Sequence, residues 1–251
     1  MSNGRVDFIG CPVDALTMSE TLSRIEAFIR VRSPRRHVAL NAAKFVQMAK
    51  EPGLFEAVST ADMVSADGQS IVWAARFLGR PLPERVAGID LMEKLVELSA
   101  AKGYRVFLFG SKQEVLERAV AHYLSKYPRL QLAGYRNGYF QPSDDTHIVA
   151  QIRDARPDIL FVAFSSPKKE YWVRDHLPEL GVPFCMGVGG SLDVVVGDVK
   201  RAPRWAQRSG LEWLYRFLQE PRRMWRRYLV GNVAFAWLVL KARMGWLRSI
   251  A

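Results

Sequence analysis

Three short runs, RVFLF (Arg105 to Phe109), DILFVAF (Asp158 to Phe164) and VPFCMGVG (Val182 to Gly189), are apolar at consecutive rather than alternate positions. A strand of that kind has both faces buried, so it belongs to a parallel sheet covered by helices on each side. Shorter runs, HVALN (His37 to Asn41), DMVSA (Asp62 to Ala66) and LQLAG (Leu130 to Gly134), extend the pattern. Amphipathic stretches separate these runs. Thr17-Met18-Ser19-Glu20 has the form of a capping box and opens a helix through Ile29. Further helices are expected over 42–50, from Asp67-Gly68 to about Gly79, over 89–101, and from Gly110-Ser111 to Lys126. Strands separated by helices of about ten residues or more make βαβ units. The expected fold class is α/β, a mainly parallel Rossmann-like sheet with flanking helices and a basic helical C-terminal appendage.

The appendage is visible in the charge. The 251 residues carry 36 Lys+Arg and 25 Asp+Glu, yet 12 of the basic and only 2 of the acidic residues lie between Lys200 and Ala251. The division is therefore into an α/β catalytic core, 1–199, and a basic helical segment, 200–251. A near-neutral globule with a cationic tail implies an anionic partner: a nucleic acid, a phosphate-bearing substrate or a membrane surface. Helical stretches are expected over 203–218 and from Arg222 to about Leu247. The apolar run Tyr228 to Leu240 is too short for a membrane span, which needs about 20 residues. It suits a helix lying on a membrane surface, or one packed on the core with its arginines in water. The two cysteines, Cys11 and Cys185, have no metal or redox spacing and read as buried thiols of a reducing compartment. No secretory signal is visible at the N-terminus.

In such sheets ligands bind beyond the carboxyl ends of the strands. Four loops there hold suggestive residues: Asn41, Asp67-Gly68, Gly110-Ser111 and Gly187-Val188-Gly189-Gly190. Glycine turns that open helices suit phosphate, although each alone also reads as a tight turn. Asp67 either caps the next helix or serves as a general base toward an incoming hydroxyl. The four histidines show no metal-ligand spacing; His37 and His176 lie near a site or have core and surface roles. There is no Asp-x-Asp triplet. Arg216, Arg222, Arg223, Arg226 and Arg227 offer guanidinium groups suited to a leaving diphosphate.

LNAAKFV (Leu40 to Val46), SADGQSIV (Ser65 to Val72), RVAGIDLM (Arg85 to Met92), VFLFGS (Val106 to Ser111), NGYF (Asn137 to Phe140), SSPKKEYW (Ser165 to Trp172), GVGGSLDVVVGDVKRAP (Gly187 to Pro203) and GLEWLYRFLQEPRRMWRRYL (Gly210 to Leu229) carry a resemblance. The chain resembles the WecB/TagA/CpsF family of bacterial glycosyltransferases, glycosyltransferase family 26, from about Asp7 to Leu229. The resemblance implies an inverting, metal-independent hexosyltransferase without cofactor. It would move a sugar from a UDP-sugar to a polyprenyl-diphosphate-linked glycan in surface polysaccharide synthesis, at the cytoplasmic membrane face. It implies Asp67 as base and Asn41 near the donor sugar. Arg85, Asp90, Gly110, Ser111, Gly189 and Gly190 become substrate-binding candidates. Arg216, Arg222, Arg223, Arg226 and Arg227 would close over the diphosphate and meet an anionic membrane. Asp193 reads as a uracil or nucleotide contact, or as a helix cap.

Two positions depart from the family pattern. Ala39-Leu40-Asn41 stands where many members read T-x-N, and Pro167-Lys168-Lys169-Glu170 where many read P-K-Q-E. Both lie where the sugar would be held. Lys169 suits an acidic sugar or an anionic acceptor, or is a solvated surface lysine. The rival classes are a nucleotide- or nucleic-acid-binding protein with a basic tail and a Rossmann oxidoreductase. The first is disfavoured by the tail's aromatic residues, which recur with leucines at helical spacing; the second lacks the dinucleotide fingerprint. No nucleic-acid partner is expected. Exposed apolar positions on the last helix would serve self-association into a homo-oligomer as readily as membrane contact.

Overall fold

The computed structural model describes residues 4–203, 205–206, 212–219 and 231–250. Eight strands appear among them: β1 (Arg5–Phe8), β2 (Cys11–Asp14), β3 (Arg35–Leu40), β4 (Met63–Ala66), β5 (Arg105–Gly110), β6 (Gln131–Arg136), β7 (Ile159–Ala163) and β8 (Phe184–Gly187). The helices are α1 (Met18–Val31), α2 (Ala42–Met48), α3 (Pro52–Ser59), α4 (Gln69–Phe77), α5 (Gly88–Lys102), α6 (Gln113–Lys126), α7 (Asp145–Asp154), α8 (Lys168–Leu180), α9 (Ser191–Val195), α10 (Glu212–Gln219) and α11 (Gly231–Arg243).

Six strands form one all-parallel sheet in the order β4-β3-β8-β7-β5-β6. The consecutive apolar residues divide between its faces with the two-residue period of a strand. Val106, Leu108, Ile159 and Phe161 pack with α1, α5 and α6, while Phe107, Phe109, Leu160 and Val162 meet α7 and α8. α1 begins with the expected capping box: the Thr17 hydroxyl accepts from Glu20 N, and the Glu20 carboxylate accepts from Thr17 N.

The sequence reading did not anticipate the antiparallel β1–β2 hairpin, which covers the edge of the sheet at β4. Buried Asp14, paired with Arg5 and Arg24, accepts from the Val64 N–H at 2.7 Å. An edge amide is thereby satisfied within the chain. Helices α3, α7 and α8 were also unassigned from sequence.

The end of the chain returns to this hairpin. On α11, Phe235 and Val239 are buried; the Phe235 ring lies 6.3 Å from Phe8 and 5.8 Å from Phe45. Ile250 N donates to Ile9 O. Thus 231–250 packs into the α/β core, as one of the two sequence alternatives had it for that side of the helix. Its other side leaves Val233, Trp237, Leu240, Met244 and Trp246 exposed. Of the helical stretch expected over 203–218, residues 212–219 form α10, which carries Arg216. The candidates Arg222, Arg223, Arg226 and Arg227 lie outside the described residues.

Candidate active site

β3 and β4 run parallel and end together, and their two following loops meet. Asp67 N donates to Leu40 O at 2.8 Å. Asn41 is the N-cap of α2: its Oδ1 accepts from Lys44 N at 3.0 Å, which leaves Nδ2 to donate to Asp67 Oδ2 at 3.3 Å. The other carboxylate oxygen accepts from Gly88 N at 2.7 Å, at the first turn of α5. Asp67 therefore does not cap α4, whose N-cap is Gly68 with no side-chain bond. It ties the start of a more distant helix to the sheet. Each carboxylate oxygen can accept a further bond, so the group keeps capacity for a hydroxyl.

Two lysines and a glutamate close the other side. Lys169 and Glu170, at the start of α8, are 9% and 4% exposed, and Lys44 is 7% exposed. Glu170 Oε1 lies 2.7 Å from Lys44 Nζ and 2.9 Å from Lys169 Nζ. Lys44 Nζ also donates to Ala39 O at 2.8 Å. Burial alone would raise the Glu170 carboxyl, but the two ammonium groups overcome it and hold the group at about 2. Burial, and after it Lys44, push Lys169 down to about 8 against the pull of Glu170 and Asp67. A shallow crevice lined by His37, Ala39, Lys44, Lys169, Glu170 and Gly187 opens beside them. His37 donates to or accepts from Ser65 Oγ at 2.9 Å; burial, then Lys44, lower it to about 3, so it is a neutral core histidine.

A second group of loops gathers at the ends of β5, β7 and β8. Gly110 has φ +120°, and a Cβ there would lie 2.8 Å from the Ala163 backbone. Ser111 N donates to Ala163 O, Gly138 N to Ser111 O and Val188 N to Val162 O, binding four loops together. The N-terminus of α6 follows with no side-chain cap. Tyr139, at the tip of the NGYF turn, is exposed beside it.

The sequence profile described as the Glycosyl transferase WecG/TagA/CpsF family matches residues 6–249. The chain belongs to this family. It is 37% identical over 180 residues (72% of this chain, 69% of the relative) to a Bacillus subtilis (strain 168) protein named N-acetylglucosaminyldiphosphoundecaprenol N-acetyl-beta-D-mannosaminyltransferase. A Staphylococcus aureus (strain MW2) protein of the same name is 32% identical over 244 residues, covering 96% of this chain and 94% of the relative. Family membership decides between the transferase and oxidoreductase readings.

Within this family member, Asn41 and Asp67 come together and Lys169 lines the neighbouring crevice with Ala39 and Lys44, whereas the other expected residues are distributed. Arg85 is half-buried on the segment held to β4 by the Val86 N to Ala66 O bond. Asp90, in the first turn of α5, pairs with Arg201 at 2.6 Å, so its carboxylate joins the KRAP stretch to that helix. The structure bears on the readings of three positions. Lys169 is buried and is not a solvated surface lysine, because its stem lies across Gly187. The Ser111 N–H offered to phosphate is already bonded within the sheet. The helix after Gly190 has five residues, so it adds little dipole; Asp193 stands in its first turn, with its Oδ2 3.4 Å from where a Gly190 Cβ would be. The sequence reading missed Lys44, Glu170 and Gly88 as parts of the site. Lys44 was legible only as a polar residue in an expected helix and Glu170 only as part of a quoted motif, and their pairing spans 126 positions.

Proposed function

We propose that this chain is an inverting transferase that moves a hexose from a UDP-sugar onto a polyprenyl-diphosphate-linked glycan. The observation that carries the reading is the placement of Asp67 at the joined ends of β3 and β4, held by Asn41 and Gly88. The relatives' names supply the acceptor class: a sugar diphosphate on undecaprenol.

In this mechanism Asp67 takes the proton of the acceptor hydroxyl while that oxygen attacks the donor's anomeric carbon from the face opposite UDP. The bond from that carbon to the β-phosphate oxygen breaks, UDP leaves with the electron pair, and the carbon inverts. Arg216, Arg222, Arg223, Arg226 and Arg227 stabilise the charge on the departing diphosphate in place of a metal ion. The nucleotide lies over the β5, β7 and β8 loops, where the uncapped start of α6 favours an anion and the exposed Tyr139 ring suits a base. Gly189, Gly190 and Asp193 border that position, and Arg85 and Asp90 border the sugar. The reaction needs no cofactor.

The enzyme works from the cytoplasmic side, held peripherally at the membrane's inner face. No described helix is long and apolar enough to cross a membrane. Trp237, Leu240, Met244 and Trp246, and Trp73 and Phe77 of α4, are exposed, and Arg243 lies 5.8 Å over the Phe77 ring. Apolar groups set among cations suit an anionic bilayer. Co-sedimentation with anionic vesicles checks this; full recovery in the supernatant overturns it.

The deciding experiment is a screen of UDP-sugars for UDP release with a lipid-diphosphate-linked N-acetylglucosamine acceptor. Release that depends on the acceptor is expected for one donor. Absence of release with every donor would refute the reading.

A further inference from the structure

We propose that the exposed Trp73 and Phe77 of α4 are the docking track for the lipid end of the acceptor. The first isoprene units of a polyprenyl diphosphate lie on the two rings, and the guanidinium groups of Arg76 and Arg243 receive its phosphates. The inference rests on the reading of Asp67 as the base that meets the acceptor hydroxyl. It concerns the acceptor's own diphosphate, not the one that leaves with UDP.

Position picks out this row. Asp67 and Gly68 lead directly into α4, so the helix starts at the loop of the proposed base and runs away from it. Gln69, Trp73 and Phe77 follow one another at i, i+4 and i+8 and therefore share one face. Trp73 and Phe77 are 54% and 53% exposed, whereas Ile71, Ala74 and Ala75 are buried on the other side of the helix. At the rise of an α-helix, Gln69 to Phe77 spans about 12 Å. A sugar and two phosphate groups have a similar reach, so an acceptor whose hydroxyl meets Asp67 brings its first isoprene units to these rings. At its far end the row meets α11. Arg243 lies 5.8 Å over the Phe77 ring, and its helix neighbours Leu240 and Met244 are exposed. A chain rising from a bilayer at α11 thus follows the row to the site.

Chemistry selects the occupant. The relatives' names place the acceptor sugar on diphosphoundecaprenol, which sets a diphosphate against an apolar, branched chain. The row matches both parts. Trp73 and Phe77 offer ring faces to the chain. Arg76 is exposed three residues after Trp73, and neither it nor Arg243 pairs with a carboxylate among the described residues. Neither α4 nor α11 contains an Asp or Glu that would compete for these guanidinium groups. Their N–H donors are left for phosphate oxygens. A bare bilayer has a broader face to meet on α11, where Val233, Trp237, Leu240 and Met244 are exposed at helical spacing. A second copy of this chain, with its net charge of +11, would bring the two arginines a partner of the same sign.

The test uses the full-length chain in detergent-free solution. Farnesyl diphosphate, a short prenyl diphosphate, is titrated calorimetrically with UDP present to fill the donor site. Saturable binding is expected, weakened about tenfold or more in W73A/F77A and in R76Q/R243Q. Farnesol, which lacks the diphosphate, should not distinguish R76Q/R243Q from the wild type. Both rings are exposed, so their truncation leaves no cavity, and an unchanged urea midpoint verifies the fold. Absence of binding, or binding indifferent to these substitutions, overturns the proposal. In the transfer assay, N-acetylglucosaminyl diphosphate on a farnesyl chain is compared with the same head group on a methyl group. The ratio of their kcat/KM values should fall about tenfold in W73A/F77A; an unchanged ratio overturns the track and leaves the transferase reading standing. Anionic vesicles without prenyl lipid should still sediment W73A/F77A, because α11 is intact. Loss of vesicle binding with unchanged farnesyl diphosphate affinity would give the rings to the bilayer instead, and a smaller particle mass with unchanged affinity would give them to a second copy. Should no donor be turned over, the transferase reading fails, while calorimetry still decides whether a prenyl diphosphate binds this row.

Discussion

At the β3–β4 end of the sheet the groups proposed to react are side chains delivered from separate elements, held by ion pairs and caps. At the β5–β7 end the loops are held by backbone bonds and by contacts so close that only glycine fits. The first arrangement tolerates changes of shape but responds to changes of charge. The second does the reverse. Chemistry that moves a proton needs the former, and a cradle for a nucleotide needs the latter.

The largest effect should follow from removing the charge at the first end. Asp67→Asn keeps the shape and is expected to cost ~10²- to 10⁴-fold in kcat while leaving UDP affinity nearly unchanged. Full activity in that variant, with native donor and acceptor, removes Asp67 from the base role. At the second end, Gly110→Ala places a Cβ 2.8 Å from the Ala163 backbone at a φ of +120°. A loss of roughly 2–4 kcal/mol is expected, seen in urea unfolding, with weaker UDP binding. An unchanged midpoint would mean that the β5 and β7 loops are less constrained than their contacts indicate.

The charged end should also respond to pH. Glu170 lies at about 2 in the fold against an ordinary 4.5, so its contribution is complete above 4.5 and is lost as pH falls toward 2. His37, lowered to about 3 from 6.5, refuses a proton that the unfolded chain accepts, so its loss begins below 6.5. Stability should therefore decline below pH 6.5 and more steeply below 4.5. Glu170→Gln should remove the steeper part and, by leaving two buried ammonium groups unpaired, cost about 3 kcal/mol or more at pH 7. A variant whose acid unfolding matches the wild type would contradict the pairing. The smallest effect on stability is expected for Gly187→Ala. Its Cβ meets the flexible Lys169 stem rather than backbone, at roughly 1 kcal/mol. A loss as large as that of Gly110→Ala would erase the difference between the two ends.

Much of this was legible in the residues alone. The consecutive apolar runs specified a buried parallel sheet because a strand covered on both faces has no polar side to show. The capping box marked the start of α1, and Asn41 and Asp67 stood at strand ends where ligands gather. The hairpin escaped notice because RVDF and CPVD are too short and mixed to carry a period. Lys169 was equally hard to place, since the second lysine of a Pro-Lys-Lys run reads as solvated until something is seen to cover it.

Local sequence determined which segments become strands and helices, because periodicity and capping act within a few residues. Only the tertiary structure decided that Lys44 meets Glu170, that the Asp67 carboxylate receives the first turn of α5, and that Phe235 returns to pack on Phe8. Those contacts join residues separated by 126, 21 and 227 positions. Their formation depends on strand order and crossover, which no local pattern encodes.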